Sequence, residues 1–258
     1  MRESRTVSTP LGQQFQLCAS QGPKSDAEVD EMKNIPYANI IGSVMYVMIC
    51  TRPDLAHAVS VTSRYMSNPG KSHWQALKWM LRYLKGSSEY GISYKGFRDQ
   101  TKEVLEGFCD SDYASNKDNR KSQTGYIFTM YGSAVSWKSN LQSVVALSTT
   151  EAEYIALTDA VNESFWIRGM MEDLGEKQGK VAVNCDSSSA ICLSKHQTFH
   201  ERSKHIDVRL HFIRDEVKKG MIEVRKIATE HNPADALTKV IPASKFAYCM
   251  ELMNVLRR

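Results

Sequence analysis

Val104-Leu-Glu-Gly-Phe-Cys-Asp110 is a short apolar run that ends on a carboxylate, and Val181-Ala-Val-Asn-Cys-Asp186 repeats that pattern further along the chain. Both read as strands, by their length and apolar content. Strand ends in open α/β sheets are common ligand sites, so an acid at each end is chemically suggestive. Between them, Gly125-Tyr-Ile-Phe-Thr-Met and Ala134-Val-Ser-Trp-Lys read as two more strands, joined by the hairpin signal Tyr131-Gly132-Ser133. Gly91-Ile-Ser-Tyr-Lys is a further strand ahead of Val104, and Val144-Val-Ala-Leu leads into a long helix predicted from about Thr149 to Leu174. After Asp186 the pattern predicts helices over Ser187–Ser194 and His205–Lys219, the second stopped by Gly220. An alternating strand follows over Met221–Ile227, then a helical turn opened by Asn232-Pro233 and a last helix over roughly Pro242–Leu256. An antiparallel hairpin joined to strands reached through helical crossovers predicts an α/β protein with a mixed sheet.

Upstream the period is helical. Residues 1–36 lack periodicity and read as an extended or disordered lead-in. Residues 37–97 carry three apolar stripes broken at Thr51-Arg52-Pro53-Asp54 and at Asn68-Pro69-Gly70, which predicts a small helical unit. Its longest apolar stretch, Ala38–Cys50, is well short of the ~20 residues of a membrane span and reads as a buried helix. Lys71, Lys78, Arg82 and Lys85 give the third helix a basic side, read as a solvated face ahead of a nucleic-acid contact. The 258 residues are 42% hydrophobic and 24% charged with a formal net charge of +4, an ordinary globular balance that tolerates a polyanionic partner without requiring one. Six scattered cysteines without a C-x-x-C pair read as reduced thiols, not as a disulfide framework or zinc site. His200, His205 and His211 are close together but match no common zinc spacing. The polar N-terminus starts no signal peptide, so the reading is a soluble intracellular protein with no membrane partner.

Asp110, Glu153, Asp186 and Asp235 stand where a carboxylate is not the obvious choice. Converging, they would repel one another unless a cation neutralised them, and hard oxygen donors favour Mg²⁺ or Mn²⁺ over zinc. Each also has a plain structural reading. Asp110 and Asp186 can cap the elements that follow, Asp235 can share a capping arrangement with Asn232, and Glu153 suits a helix N-terminus. Asp110 and Asp112 would share a face of a continuing strand, so either could bind a metal. Glu151 and Glu153 point to nearly opposite sides of a helix, so only one can face the site.

Read in order, these segments resemble a known family. Gly107-Phe-Cys-Asp-Ser-Asp-Tyr-Ala114, Asn119-Arg-Lys-Ser-x-Thr-Gly-Tyr-Ile-Phe128, Ser136-Trp-Lys-Ser139 and Ala146-Leu-Ser-Thr-Thr-Glu-Ala-Glu-Tyr-Ile-Ala156 are similar to the ribonuclease H of copia-type LTR retrotransposon Pol polyproteins, plant elements above all. Cys185-Asp-Ser-x-Ser-Ala-Ile191, Lys204-His-Ile-Asp-Val-Arg-x-His-Phe-Ile-Arg214 and Asn232-Pro-Ala-Asp-x-Leu-Thr-Lys239 continue the match. Tyr37-Ala…Gly42-Ser-x-Met-Tyr46 and Cys50-Thr-Arg-Pro-Asp-x-Ala-His57 look like the segment joining that family's polymerase to its ribonuclease H. No Tyr-x-Asp-Asp polymerase motif and no integrase or protease motif is present, as for a C-terminal piece of the polyprotein.

The resemblance implies a ribonuclease H-like mixed five-stranded sheet with flanking helices over residues 98–240, a thumb- or connection-like helical segment over 37–97 and a C-terminal helix over 241–258. It implies that Asp110, Glu153, Asp186 and Asp235 are the catalytic carboxylates and hold two Mg²⁺, with Mn²⁺ as a substitute, for cleavage of the RNA strand of RNA·DNA hybrids. Lys117, Arg120, Lys121 and Lys138 are candidate phosphate contacts, each of which also reads as solvated surface. His231 stands near the place of the mobile histidine of cellular-type enzymes, and Asp207 reads equally as a helix-orienting ion pair or a neighbour of the metals. The implied partners are the hybrid and the upstream reverse transcriptase, in cytoplasmic particles or the nucleus. The rival reading is a catalytically silent nucleic-acid-binding remnant of a truncated element.

Overall fold

The computed structural model describes residues 3–94, 104–176, 178–195 and 207–257, apart from the side chains of 207, 208 and 210. In chain order the helices and strands begin with α1 (Asp26–Lys33), α2 (Tyr37–Thr51), α3 (Ala56–Ser63), α4 (Lys71–Gly86) and β1 (Tyr90–Ile92). There follow β2 (Leu105–Ser111), β3 (Gln123–Met130), β4 (Ser133–Leu141), α5 (Thr149–Asp173), β5 (Val181–Cys185) and α6 (Ser188–Lys195). The chain continues through α7 (Asp207–Lys218), β6 (Ile222–Lys226), a 3-10 turn over Pro233–Leu237, α8 (Ala243–Leu252) and β7 (Val255–Arg257).

The main sheet has five strands in the order β4-β3-β2-β5-β6. β2, β3 and β4 are antiparallel, whereas β5 pairs parallel with both β2 and β6. Tyr131 and Gly132 both adopt positive φ, at 51° and 78°. This is the mirror-image turn that suits the right-handed twist of a hairpin. Leaving β2, the chain turns one way into the hairpin and later returns through α5 on the other side. β2 and β5 are therefore central, parallel neighbours whose C-terminal ends open together, the place where such sheets bind ligands. This is the ribonuclease H-like α/β sheet with flanking helices.

Both faces are covered, which is why β3 is buried along nearly its whole length. On one face α5 packs Tyr154, Ile155, Leu157 and Val161 against Leu105, Phe128, Val181 and Val183. On the other face α2, α3, α4 and α8 share a core with Ile127, Ala134 and Leu237. Leu55, Leu77 and Met80 are fully buried there, and each such side chain contributes about 1.5–3 kcal/mol. The helical unit is therefore packed on the sheet, not a free-standing bundle.

Three expectations are corrected. The lead-in carries α1 and buries Leu11, Leu17 and Met32. It is held by Phe15 edge-on to Trp79 and by Trp79 Nε1 donating to the Thr9 carbonyl at 2.9 Å. α2 is buried only on the stripe Tyr37, Ile41, Val44, while Tyr46 and Ile49 are 72% and 63% exposed, because a 3.6-residue period turns them away from the core. The last helix stops at Leu252: Asn254 takes a left-handed φ of 56°, and Val255–Arg257 becomes β7, antiparallel to β1 outside the main sheet.

Candidate active site

Asp110 is the last residue but one of β2, with 1% of its surface exposed, and Asp186 follows β5 directly. Their strands are in register, with Cys109 opposite Cys185, so the two acids leave the sheet side by side. Asp235 is fully buried in the 3-10 turn Pro233–Leu237. Asn232 fixes that turn: its Oδ1 caps the Ala234 N–H at 3.1 Å, and its Nδ2 donates to the Cys109 carbonyl at 2.9 Å. The Asn caps the turn and ties it to β2, leaving Asp235 free of any capping role. One carboxylate oxygen from each of Asp110, Asp186 and Asp235 lies within 4.8 Å of the others.

Glu153 reaches the same place from α5. Ser148 caps that helix by accepting the Glu151 N–H at 3.2 Å, and Glu151 accepts the Leu147 N–H at 2.9 Å. Glu151 is thus spent on the start of the helix, and Glu153 reaches the end of β2. Gln142 Nε2 donates to the Ala152 carbonyl at 2.9 Å, tying this first turn to the end of β4. Glu153 Oε1 accepts the Ser111 N–H at 3.4 Å, while its Oε2 is buried without a hydrogen-bond partner. Glu153, Cys185 and Asp186 form a second group with ligand atoms within 4.8 Å of one another, so Asp186 belongs to both.

Crowded and dehydrated, these acids resist ionisation. Burial above all pushes the Asp110 carboxyl up to about 7; Asp235 and Asp186 add to the rise, against the opposing pull of Lys239 and the Thr238 hydroxyl. Burial, then the charge of Asp110, pushes Glu153 up to about 10. Lysines partly compensate. Lys239 Nζ lies 2.9 Å from Asp235 Oδ1 and 3.3 Å from Asp110 Oδ2, and Lys245 pairs with Asp235 Oδ2. An unpartnered buried oxygen, the three carboxylates of Asp110, Asp186 and Asp235, and an ammonium already seated between two of them fit a hard divalent cation, the Cys185 thiol standing only in the second group.

Other acids and bases named from the sequence fall elsewhere. Asp112 lies past the end of β2 and accepts the Gln123 N–H, outside both groups. Lys117, Arg120 and Lys121 sit on the β2–β3 connection: Lys117 donates to Gln16 at 2.6 Å, Arg120 is exposed, and the Lys121 N–H bonds Asn119. Lys138 is exposed on edge strand β4, 5.8 Å from the Tyr126 ring. His231 is exposed and bonds the Tyr248 hydroxyl through Nδ1 at 2.9 Å. His200, His205 and the Asp207 side chain lie outside the described residues. Thr238, Lys239 and Lys245 were not singled out from the sequence. Only the i,i+4 spacing of Asp235 and Lys239 could have pointed to one of them.

Fold and site together define a ribonuclease H-like chain with an acidic pocket at the switch point of its sheet. No family model matches it. It is 49% identical over 255 residues to the "Retrovirus-related Pol polyprotein from transposon TNT 1-94" of Nicotiana tabacum, covering 99% of this chain and 19% of that one. It is also 46% identical over 136 residues to the "Secreted RxLR effector protein 161" of Plasmopara viticola, covering 53% of this chain and 94% of that one. Among solved structures it is similar to the "Crystal structure of LC11-RNase H1 in complex with RNA/DNA hybrid", at 17% identity and a TM-score of 0.38, covering 52% of this chain and 93% of that one. The likeness to the effector takes in half of the chain, whereas the likeness to the polyprotein runs through nearly all of it. The chain belongs to the plant copia-type retrotransposon Pol polyproteins, and it spans 19, 16 and 17% of the length of three of them.

Proposed function

We propose that this chain is the ribonuclease H part of a copia-type Pol polyprotein and hydrolyses the RNA strand of RNA·DNA hybrids with Mg²⁺, Mn²⁺ serving as a substitute. The observation that carries the reading is the meeting of Asp110, Asp186 and Asp235 within 4.8 Å at the open end of two parallel strands. Glu153, one of whose oxygens is buried and unpartnered, joins Asp186 and Cys185 in a second group within 4.8 Å. In this reading the four carboxylates hold two ions, which when bound lower the pKa of a water and neutralise charge at the leaving oxygen. The protein's own part is placement. β2 and β5 present Asp110 and Asp186 in parallel, the Asn232-capped turn presents Asp235, and α5 closes the pocket with Glu153.

Choice of RNA would rest on contacts to 2′-hydroxyls across a shallow minor groove. Lys117, Arg120, Lys121 and Lys138 would meet phosphates, and the reverse transcriptase portion of the polyprotein would deliver the hybrid. Residues 98–240 would then be the nuclease unit and 37–97 its link to the polymerase, within cytoplasmic particles or the nucleus. Among the described residues no helix is long and apolar enough to cross a membrane.

The test is to incubate the chain and Mg²⁺ with labelled RNA·DNA hybrid, duplex DNA and duplex RNA. Cutting confined to the RNA of the hybrid supports the reading. Binding of the hybrid without cutting would make the chain a nucleic-acid-binding remnant.

A further inference from the structure

Lys239 lies one residue beyond Thr238, whose hydroxyl donates to Asp110, and four beyond Asp235. Its position is therefore dictated by the same turn that places Asp235. The ammonium reaches both acids: 2.9 Å to Asp235 Oδ1, 3.3 Å to Asp110 Oδ2 and 3.5 Å to Asp110 Oδ1. The lysine side chain is 40% exposed, while the two carboxylates it bridges are 1% and 0% exposed. It enters from solvent and seals two buried charges behind it. Lys245 covers the other oxygen of Asp235 and also donates to the Thr229 carbonyl at 2.9 Å.

Among the described residues, the other half of the pocket has no ammonium between its carboxylates: Lys226 meets the Asp186 backbone carbonyl, and the Thr229 hydroxyl donates to Asp186 Oδ2 at 2.8 Å. Glu153 Oε2 is buried and unpaired, beside Asp186 and Cys185. The site is thus uneven. Its Asp110–Asp235 side already holds a positive charge, the ammonium lying 2.9 Å from an Asp235 Oδ1 that makes no hydrogen bond, and its Glu153–Asp186 side has an unpartnered oxygen with no cation beside it among the described residues. Two like cations cannot share the space between Asp110 and Asp235 at distances near 3 Å, since their repulsion in a pocket of low dielectric is large.

We propose that Lys239 is the resident counter-cation of this site and that a divalent ion using Asp110 and Asp235 together must displace it. This inference rests on the metal-dependent reading above. Occupation of the site is then an exchange of cations, and the ion at the Glu153–Asp186 side binds without that competition. Lysine suits the role better than arginine. Its compact ammonium sits on a flexible stem and can swing aside toward solvent, whereas a planar guanidinium would lock onto a carboxylate in a two-pronged pair. Swung aside, it remains close enough to meet a phosphate of a bound strand.

The experiment is a titration of the 258-residue chain with Mn²⁺ alone, without nucleic acid, by calorimetry and by electron paramagnetic resonance, for the natural chain, Lys239→Met and Lys239→Arg. Methionine keeps the apolar stem and removes the charge. The weaker Mn²⁺ site of Lys239→Met is expected to tighten by about tenfold, a size set by one unit of charge a few ångströms away and partly screened by solvent. Lys239→Arg is expected to bind Mn²⁺ no more tightly than the natural chain. Metal-free Lys239→Met is expected to melt below the natural chain, and saturating Mn²⁺ to close that gap.

Equal or weaker Mn²⁺ binding by Lys239→Met overturns the inference and leaves the nuclease reading standing. A melting gap that persists at saturating Mn²⁺ also overturns it, because the lysine would then be a structural strut. Absence of Mn²⁺ binding by every form overturns the metal reading itself, and the inference with it.

Discussion

Cys109 and Cys185 face each other across β2 and β5, and the residue after each is a carboxylate of the candidate site. The alternation of a strand puts the thiols into the core under α5 and the acids on the other side, at the open end of the sheet. Both thiols are free, and the neighbouring Cys185 thiol above all, then burial, pushes Cys109 well above the usual thiol range. The gap between these two small side chains therefore helps to set the gap between Asp110 and Asp186. Cys109→Ala is expected to keep both Mn²⁺ binding and hybrid cleavage. Cys109→Leu overpacks the same spot, with an expected cost of about 1–3 kcal/mol in urea denaturation and a clear loss of Mn²⁺ affinity. Equal Mn²⁺ affinity in the two variants would show that the thiols do not set the spacing.

The crowded acids make the metal-free protein sensitive to alkali. Asp110 moves from an ordinary 3.8 up to about 7, and Glu153 from 4.5 up to about 10, burial being the main cause of both. Between those values the folded chain holds more protons than the unfolded one, so stability falls as pH rises through each window. The metal-free melting temperature is thus expected to drop as pH rises from 5 toward 9. Glu153→Gln, which has no proton to lose, is expected to flatten that drop and to stabilise the metal-free protein at pH 8 by a few kcal/mol, because folding no longer has to keep a carboxyl protonated there. Thermal melts in a chelator across this pH range read the effect directly, and a variant with an unchanged slope would remove Glu153 from the account.

His57 produces the opposite limb. Burial, then the charge of Arg64, depresses its pKa from 6.5 to about 3. Below pH 6.5 the unfolded chain takes up a proton that the folded chain refuses, so stability falls as pH drops from 6.5 toward 3. Comparison of the natural chain with His57→Met should show the acid limb reduced by about 2 kcal/mol between pH 6.5 and 4.5. Parallel acid limbs in the two proteins would mean that His57 is hydrated.

The helical unit carries its own buried charge pair. Arg52 Nε and Nη2 donate to the two oxygens of Asp54 at 2.9 and 2.7 Å, with side chains 4% and 0% exposed. Tyr83 also donates to Asp54 at 2.6 Å, and Arg52 donates to the Ser87 carbonyl at 2.8 Å, so the pair joins the start of α3 to the end of α4. Asp54→Ala would leave the guanidinium buried and uncompensated, an expected cost of about 3–5 kcal/mol in denaturant. A loss below 1 kcal/mol would show that Arg52 escapes to solvent.

The parts of this molecule legible in its sequence are those decided locally. β2 and β5 announce themselves as short apolar runs, and the hairpin at Tyr131-Gly132 needs only its own residues. The same is true of the carboxylates at the two strand ends and in the Asn232-capped turn. What escaped depends on distant partners. β7 looks like the continuation of a helix until Asn254 turns the chain and β1 supplies its hydrogen bonds. Leu11 and Leu17 have no periodicity because they fill gaps against helices instead of lining one. Lys239 reads as one more surface lysine until the fold brings Asp110 to within 3.3 Å of it, from a strand far back in the sequence.

The central claim is that these four acids cut RNA. The most direct measurement compares the natural chain with Asp186→Asn on a labelled RNA·DNA hybrid with Mg²⁺, following both binding and cleavage. Asp186 is the right residue because it belongs to both acidic groups, and it is only partly buried, so the amide should fold normally. The expected result is RNA cleavage by the natural chain that vanishes in the variant while hybrid binding persists. Cleavage that survives at the natural rate in Asp186→Asn, or a folded natural chain that binds the hybrid and leaves its RNA intact, would contradict the account.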